Sequence, residues 1–359
     1  VGLAPESERL SALLSSEAVT AQLTLYQPAP LGLACARRAV AAYCHEAHGR
    51  AVDPDDVILT SSTSEGYAYL FKLLCDPDDE VAVPTPSYPL LDELARCESV
   101  RLVRYELEQT DRGWLFDTAL VERALTSRTR AVVAVSPNNP TGTLLTPAER
   151  ARVGALCAER GIPLIIDEVF ADYVWQDPPP QAAGSTGAEE ALTVILSGLS
   201  KVVGLPQLKL GWMVLSGPSG RRAALRDRLE LVADAYLSVA TPIQLAAPGL
   251  LAHWRELQAP IRERVGGNRE WLLAELAHHA SGLRVQPVVA GWSAIVELPR
   301  WHSDEEWTLR LLERASVYVQ PGYFFDLPRE GHCIVSLLTR PAALRRGIHR
   351  LIDLVQEAA

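Results

Sequence analysis

Short apolar runs alternate with amphipathic stretches through the first two thirds of this chain, and no other feature narrows its fold as much. The runs Val57–Leu59, Val81–Val83, Ala131–Val135, Leu164–Ile166 and Val194–Leu196 read as strands buried on both faces. Between them, Leu33–His48, Thr63–Cys75, Leu90–Arg96, Phe116–Leu125 and Pro147–Arg160 carry helical periodicity. Such alternation predicts an α/β domain, a mostly parallel sheet covered by helices on both faces. Ligands of such sheets bind beyond the carboxyl ends of the strands, and there Gly, Pro, Ser and Asn cluster in this sequence.

After about Val239 the texture changes. A helical stretch is predicted from Leu251 to His279, with a bend at Gly266 and Gly267, since two adjacent helical glycines cost about 2 kcal/mol against alanine. Strands over Val285–Val289, Ser293–Leu298, Val317–Val319 and Cys333–Leu338, with helices near Glu305–Arg314 and from Ala342, predict a smaller α+β domain. The expected division is 21–245 for the large domain, and 1–20 with 246–359 for the small one. A chain of 359 residues suits two domains better than one core. Gln176–Gly187, rich in Pro, Ala and Gly, reads as a surface loop.

Lys plus Arg number 34 against 44 Asp plus Glu, and a net charge of -10 repels phosphate backbones, which argues against nucleic-acid binding. Cys35, Cys44, Cys75, Cys97, Cys157 and Cys333 are scattered, without a C-x-x-C pair, and the eight histidines show no ligand spacing. No metal is therefore expected, and the cysteines read as free thiols of a reducing, cytoplasmic protein. No apolar run is long enough to span a membrane, and no signal peptide is visible, although a chain that opens on Val1 says little about targeting.

The strongest chemical signal is Ser197-Gly-Leu-Ser200-Lys201, followed by Gly204-Leu-Pro206 and Lys209-Leu-Gly211-Trp212. A lysine in a small-residue loop after an apolar strand is placed for partial desolvation, which lowers its pKa and frees the amine to attack a carbonyl. Alone, such a lysine is most often a solvated surface charge. Its company changes that reading. Asp167 closes the apolar strand Pro163-Leu-Ile-Ile, a costly position unless a cation meets it. A protonated pyridine nitrogen is such a cation; a helix cap or salt bridge is the plainer explanation. Asn139, in Ser136-Pro-Asn-Asn-Pro-Thr-Gly142, sits after a buried strand with an amide able to donate to a phenolic oxygen. Ser62, Thr63 and Ser64 stand at a strand-to-helix junction, where hydroxyls and free amides make an anion site as well as a cap. Tyr88, held between prolines in Pro84-Thr-Pro86-Ser-Tyr88-Pro89, suits stacking on a flat ring, or ordinary packing.

In their order and spacing these segments resemble the class I/II aminotransferases, pyridoxal-phosphate enzymes of the aspartate-aminotransferase fold (fold type I), over nearly the whole chain. The resemblance implies a seven-stranded, mostly parallel sheet. It implies that Lys201 is the Schiff-base lysine and proton shuttle, Asp167 the partner of the pyridine nitrogen, Asn139 the donor to the ring oxygen and Tyr88 the stacking aromatic. Ser62, Thr63, Ser64 and Ser200 would form the phosphate cup, with Lys209 where arginine is usual. Tyr26 resembles a tyrosine that reaches the phosphate of the neighbouring subunit, which implies a homodimer with shared active sites. The small-domain segment Val319-Gln-Pro-Gly-Tyr323-Phe-Phe also matches.

Three positions depart from the family's pattern. Lys209 keeps the charge of arginine but not its fork. Phe170 stands where a tyrosine often donates to the ring oxygen, so that oxygen holds the imine proton more firmly, and a yellow protein at neutral pH is expected; Tyr173 is a second source of that bond. Ile334 stands where the family places its carboxylate-binding arginine, which leaves Arg340 and Arg329 as nearby candidates, with Asn139 and Tyr323 also on the substrate side. Trp292, Phe324 and Tyr26 are further candidates for that wall. The implied reaction moves an amino group between an amino acid and a 2-oxo acid by a ping-pong mechanism. The same site also serves lyases, decarboxylases and cyclases, and a non-catalytic aminotransferase-like sensor is the remote alternative.

Overall fold

The computed structural model describes residues 7–21, 23, 25–175, 190–237, 239–278 and 282–358. The loop expected over Gln176–Gly187 lies outside them. The strands of the first part are β1 (Val57–Thr60), β2 (Glu80–Thr85), β3 (Arg101–Glu106), the hairpin β4 (Glu108–Thr110) and β5 (Gly113–Leu115), β6 (Thr129–Val135), β7 (Leu164–Asp167), β8 (Thr193–Gly198) and β9 (Gly211–Ser216). Seven of them form one sheet in the order β1-β9-β8-β7-β6-β2-β3. Neighbours are parallel except at β9, which runs against both β1 and β8. All five expected strands are present. β3 escaped the reading because it is an edge strand with Arg101, Arg104 and Glu106 exposed, so it lacks the continuous apolar run of a central strand.

The accompanying helices are α1 (Ser7–Leu14), α2 (Glu17–Thr20), α3 (Ala34–His48), α4 (Thr63–Leu74), α5 (Leu90–Cys97), α6 (Thr118–Ala124), α7 (Pro147–Arg160), α8 (Leu199–Val202), α9 (Ser219–Tyr236) and α10 (Thr241–Ala252). Strand side chains alternate between faces. Ile165 joins Ile58, Val83 and Val133 under α4, α5 and α9, while Leu164 and Ile166 join Val132 and Ala134 under α6 and α7. Towards β1, Val57, Leu59 and Trp212 pack against α3 and α10, and Leu10, Leu13 and Leu14 of α1 close that cluster.

The remaining chain forms α11 (Trp254–His278), β10 (Arg284–Val285), β11 (Ser293–Glu297), α12 (Asp304–Ala315), β12 (Gln320–Pro321), β13 (His332–Ser336) and α13 (Pro341–Ala358). A four-stranded antiparallel sheet of order β10-β11-β13-β12 packs against these helices through Val265, Leu272, Trp307, Leu311, Ile348 and Leu351. Three expectations shift here. The helix does not break at Gly266 and Gly267; it breaks at His253, where φ is -110 and ψ 19. Burial of Ile261, Val265 and Leu272 on one face holds the helix through the glycines, since tertiary packing outweighs propensity. The strand expected over Val285–Val289 stops at Val285; Pro287, lacking an N–H, interrupts the ladder. The strand expected at Val317–Val319 begins instead at Gln320, the first residue to pair with β13.

Register positions the functional end of the large sheet. Thr60 of β1 and Gly198 of β8 both lie opposite Gly211, and Val135 of β6 and Leu196 of β8 flank Asp167 of β7. The carboxyl ends of these parallel strands thus share one edge. Beside it, the chain after β7 is tied to the chain before β11: Val174 bridges Ala290, the Trp175 amide donates to Val289 and the Gly291 amide to Tyr173.

Candidate active site

A cavity of about 310 Å³ opens at that edge. Its lining brings together Ser62, Thr63, Ser64, Tyr88, Asn139, Asp167, Ser200, Lys201 and Lys209, from loops far apart in sequence. At one end lies the start of α4. The Ser62 hydroxyl accepts from the Glu65 amide at 3.2 Å, and Glu65 in turn accepts from the Ser61 amide at 2.6 Å. That cap leaves the amides of Thr63 and Ser64 without helical acceptors, at the positive end of α4. The β9 chain crosses against this turn. A Cβ at Gly211 would come within 2.9 Å of the Ser62 carbonyl carbon, and one at Gly198 within 3.0 Å of the Gly211 Cα. Glycine at both positions is what brings Lys209, Ser200 and the α4 turn around one space. Lys209 itself adopts a left-handed φ of 54, which a non-glycine residue takes only where its surroundings impose it.

At the other end Asp167 is buried beneath the strand edge. One carboxylate oxygen accepts from the Tyr67 hydroxyl at 3.0 Å and the other from the Val169 amide at 3.1 Å. Burial pushes its pKa up to about 6 against these two bonds and the attraction of Lys201. The same burial lowers the pKa of Lys201, with Asp167 opposing. The Lys201 Nζ makes no hydrogen bond or ion pair among the described residues; it stands 4.8 Å from the ring centroid of Trp292 and 5.3 Å from that of Phe170. Between the two ends, Asn139 is oriented by Ser293, whose hydroxyl lies 3.0 Å from the Asn139 Oδ1 and donates to it. The Asn139 amide nitrogen is thereby left to donate into the cavity.

Behind the site a charged knot fixes its frame. Glu168 accepts from Arg50 at 3.0 and 3.1 Å and from Arg150 at 3.0 Å. Burial opposes the charge on Glu168, but the two guanidinium groups outweigh it and hold the carboxyl at about 2. Asp172 accepts from Tyr43 and Gln258, both at 2.8 Å, and Gln258 also donates to the Val202 carbonyl. Tyr173 donates its hydroxyl to the Lys201 carbonyl at 2.7 Å. It is therefore committed to the main chain and does not supply the second ring-oxygen donor considered above.

Tyr26, Tyr323 and Arg340 do not line the cavity. Tyr26 is 87% exposed, Tyr323 stacks edge-on with Phe324, and Arg340 lies exposed just ahead of α13. Ile334 is buried opposite Ile295, in a cluster with Phe325, Leu327 and Tyr105, and among the described residues no arginine lines the cavity. Sequence reasoning overlooked Tyr67 and Ser293. The signal for Tyr67 was a phenol one helical turn past Thr63; Ser293 offered none.

The chain matches the model of the family described as aminotransferase class I and II over residues 10–351. It is 26% identical over 319 residues to the glutamate-pyruvate aminotransferase AlaA of Escherichia coli K12, covering 86% of this chain and 77% of that protein. It is 27% identical over 330 residues to an alanine aminotransferase of Mycobacterium tuberculosis, covering 89% and 76%. A shorter similarity, 28% over 222 residues (61% of this chain and 48% of the other), reaches an S-alkyl-thiohydroximate lyase of Arabidopsis thaliana. Among solved structures, the aspartate aminotransferase of Thermus thermophilus with maleate superposes with a TM-score of 0.83 at 25% identity, covering 95% of this chain and 87% of that one. Fold, site and family match agree, and the chain belongs to the class I and II aminotransferases.

Proposed function

We propose that this aminotransferase moves an amino group between an amino acid and a 2-oxo acid, with pyridoxal phosphate held in the cavity. The observation that carries the reading is the meeting of two buried groups: an amine at Lys201 without a polar partner among the described residues, and a carboxylate at Asp167 whose proton affinity burial has raised. The residues fit the cofactor. The free amides of α4 with Ser62, Thr63, Ser64, Ser200 and Lys209 suit a phosphate, Asp167 suits a protonated ring nitrogen, Asn139 a ring oxygen and Tyr88 a ring face. Bound there, the cofactor supplies a carbonyl carbon for amines and a cationic ring that accepts an electron pair. Lys201 would serve twice: its Nζ would hold the carbonyl carbon, and once freed by a donor amine it would take the proton from the donor Cα and deliver it to that former carbonyl carbon. Asp167 holds the proton on the ring nitrogen throughout. Asn139, pinned by Ser293, keeps the ring from rotating.

The names of the relatives make alanine, glutamate and their 2-oxo acids the first substrates to test. A second reading, elimination at the same site, is favoured by the similarity to the Arabidopsis lyase and by a cavity lined by no arginine among the described residues. We also infer a homodimer, in which the exposed Leu23, Leu25 and Tyr26 meet the neighbouring copy. A cofactor-holding unit over 21–245, a smaller unit from 246–359 with 1–20, and a reducing cytoplasmic setting belong to the same reading; Cys35, Cys44, Cys75, Cys97, Cys157 and Cys333 are all free thiols. Among the described residues no helix is long and apolar enough to cross a membrane. Borohydride reduction of the cofactor-loaded protein should fix the label on Lys201, and Lys201→Ala should lose both label and turnover; label on another lysine would refute the assignment.

A further inference from the structure

Lys201 ends between two aromatic rings, and those rings are built into place. Trp292 meets Phe170 edge-on at 5.4 Å and Tyr173 edge-on at 4.9 Å. Tyr173 is fully buried and holds the Lys201 carbonyl, so one side chain fixes both the lysine main chain and the ring above it. The Trp292 loop is tied down independently. The Gly291 amide donates to the Tyr173 carbonyl at 2.8 Å, Trp175 donates to the Gly291 carbonyl at 2.9 Å, and the Leu337 amide donates to the Trp292 carbonyl at 2.8 Å. A Cβ at Gly142, in the Asn139 loop, would come within 2.8 Å of the Ala290 carbonyl oxygen, so the two loops are in direct contact.

We infer that Phe170 and Trp292 form a cation–π slot that holds the ε-amine of Lys201 whenever it carries a proton, both in the cofactor-free protein and after it has taken a proton from a donor. The inference rests on the proposed role of Lys201 but concerns the amine itself. An ammonium in a desolvated site needs compensation, and ring faces within about 6 Å supply it without a hydrogen bond. Among the charged and titratable groups around the slot, Asp167 on β7 also favours the ammonium, and Lys209, just ahead of β9, lines the same cavity. Tyr67 of α4 acts through its bond to Asp167, Tyr88 ahead of α5 lines the cavity, and Glu168 just after β7 is neutralised by Arg50 and Arg150. The slot adds a face that gives no proton away. When a donor displaces Lys201, the amine leaves neutral with its electron pair, takes up the proton from the donor Cα, and the resulting ammonium has a place to stay near the reacting carbon.

Trp292→Leu removes the larger face, Trp292→Phe keeps a smaller one, and Phe170→Leu removes the other. The readout is the pH midpoint of Lys201 labelling by acetic anhydride in the cofactor-free protein, followed on the Lys201 peptide by mass spectrometry. Only the neutral amine reacts. The midpoint should fall by about 0.5–1.5 pH units in Trp292→Leu, so Lys201 labels about three- to thirtyfold faster below both midpoints; Trp292→Phe should restore most of the shift, and Phe170→Leu should move it the same way. An unchanged or raised midpoint in Trp292→Leu, or a Phe variant that falls as far as the Leu variant, overturns the slot. If Trp292→Leu does not fold, an unchanged midpoint in Phe170→Leu overturns it. Protection of Lys201 by added pyridoxal phosphate is measured alongside; its failure would count against the cofactor reading while leaving the midpoints interpretable.

Discussion

Asp167→Asn separates what this carboxylate costs the ligand-free protein from what it contributes to catalysis. Burial, working against the Tyr67 and Val169 bonds and Lys201, raises Asp167 from the ordinary 3.8 to about 6. The folded state therefore binds this proton more tightly than the unfolded state does. Below 3.8 the group is neutral in both states and costs nothing. Between 3.8 and about 6 the unfolded chain releases the proton first, so stability falls as the pH rises, and above about 6 the full cost remains. At about 1.4 kcal/mol per pH unit, that cost is on the order of 3 kcal/mol. Asparagine is neutral at every pH; its oxygen can keep the Val169 bond, while its NH2 replaces the oxygen that accepted from Tyr67 and donates to that hydroxyl, which turns to accept. Ligand-free Asp167→Asn should therefore exceed the wild type by on the order of 2–3 kcal/mol at pH 8, and the gap should close towards pH 4. Urea denaturation followed by circular dichroism at pH 4, 6 and 8 measures it. The same variant should lose turnover by roughly a hundredfold or more, because asparagine cannot hold a proton on the ring nitrogen. A gap independent of pH, or a variant less stable than the wild type at pH 8, would refute the reasoning.

Lys209→Ala should weaken pyridoxal-phosphate binding by about ten- to hundredfold, the worth of a charge-assisted contact, while Lys209→Arg should retain it; fluorescence titration reads both. Phe170→Tyr should lower by about one unit the pH at which the yellow band of the loaded protein gives way, since a phenol beside the ring oxygen favours loss of the imine proton; an absorbance titration checks this. Glu168→Gln should destabilise the fold by about 3–5 kcal/mol, because Arg50 and Arg150 are left facing each other without a counter-charge. The contribution of Glu168, whose pKa is depressed to about 2, is present above its ordinary 4.5 and is lost as the pH falls towards 2, so the deficit of the variant should shrink in acid.

The large sheet was legible because a central parallel strand must be apolar on both faces, and five such runs stand out between helical stretches. The site was legible where its residues sit in short contiguous segments at strand ends: Asp167 closes β7, Asn139 follows β6 and Ser62 caps α4. What remained hidden depends on pairings between distant segments. Tyr67 gains its role from a carboxylate 100 residues further along the chain, and Ser293 from an asparagine in the loop after β6. Trp292 looked like one aromatic among several until the β11 loop proved to rest on Tyr173 and Gly142. The glycine pair of α11 misled for the same reason, since the face buried by Ile261 and Val265 outweighs a local cost. Ile334 is buried opposite Ile295, so that face of the small sheet is packed rather than open.

The most direct test of the central claim is an absorbance titration of the pyridoxal-phosphate-loaded protein with alanine and glutamate added one at a time. The account expects the yellow band to be replaced by the pyridoxamine band, with one equivalent of pyruvate or 2-oxoglutarate released per site, and the yellow band to return when a second 2-oxo acid is added. A yellow band that persists while ammonia, carbon dioxide or a thiol accumulates would contradict it and place the chain among the lyases or decarboxylases of the same fold.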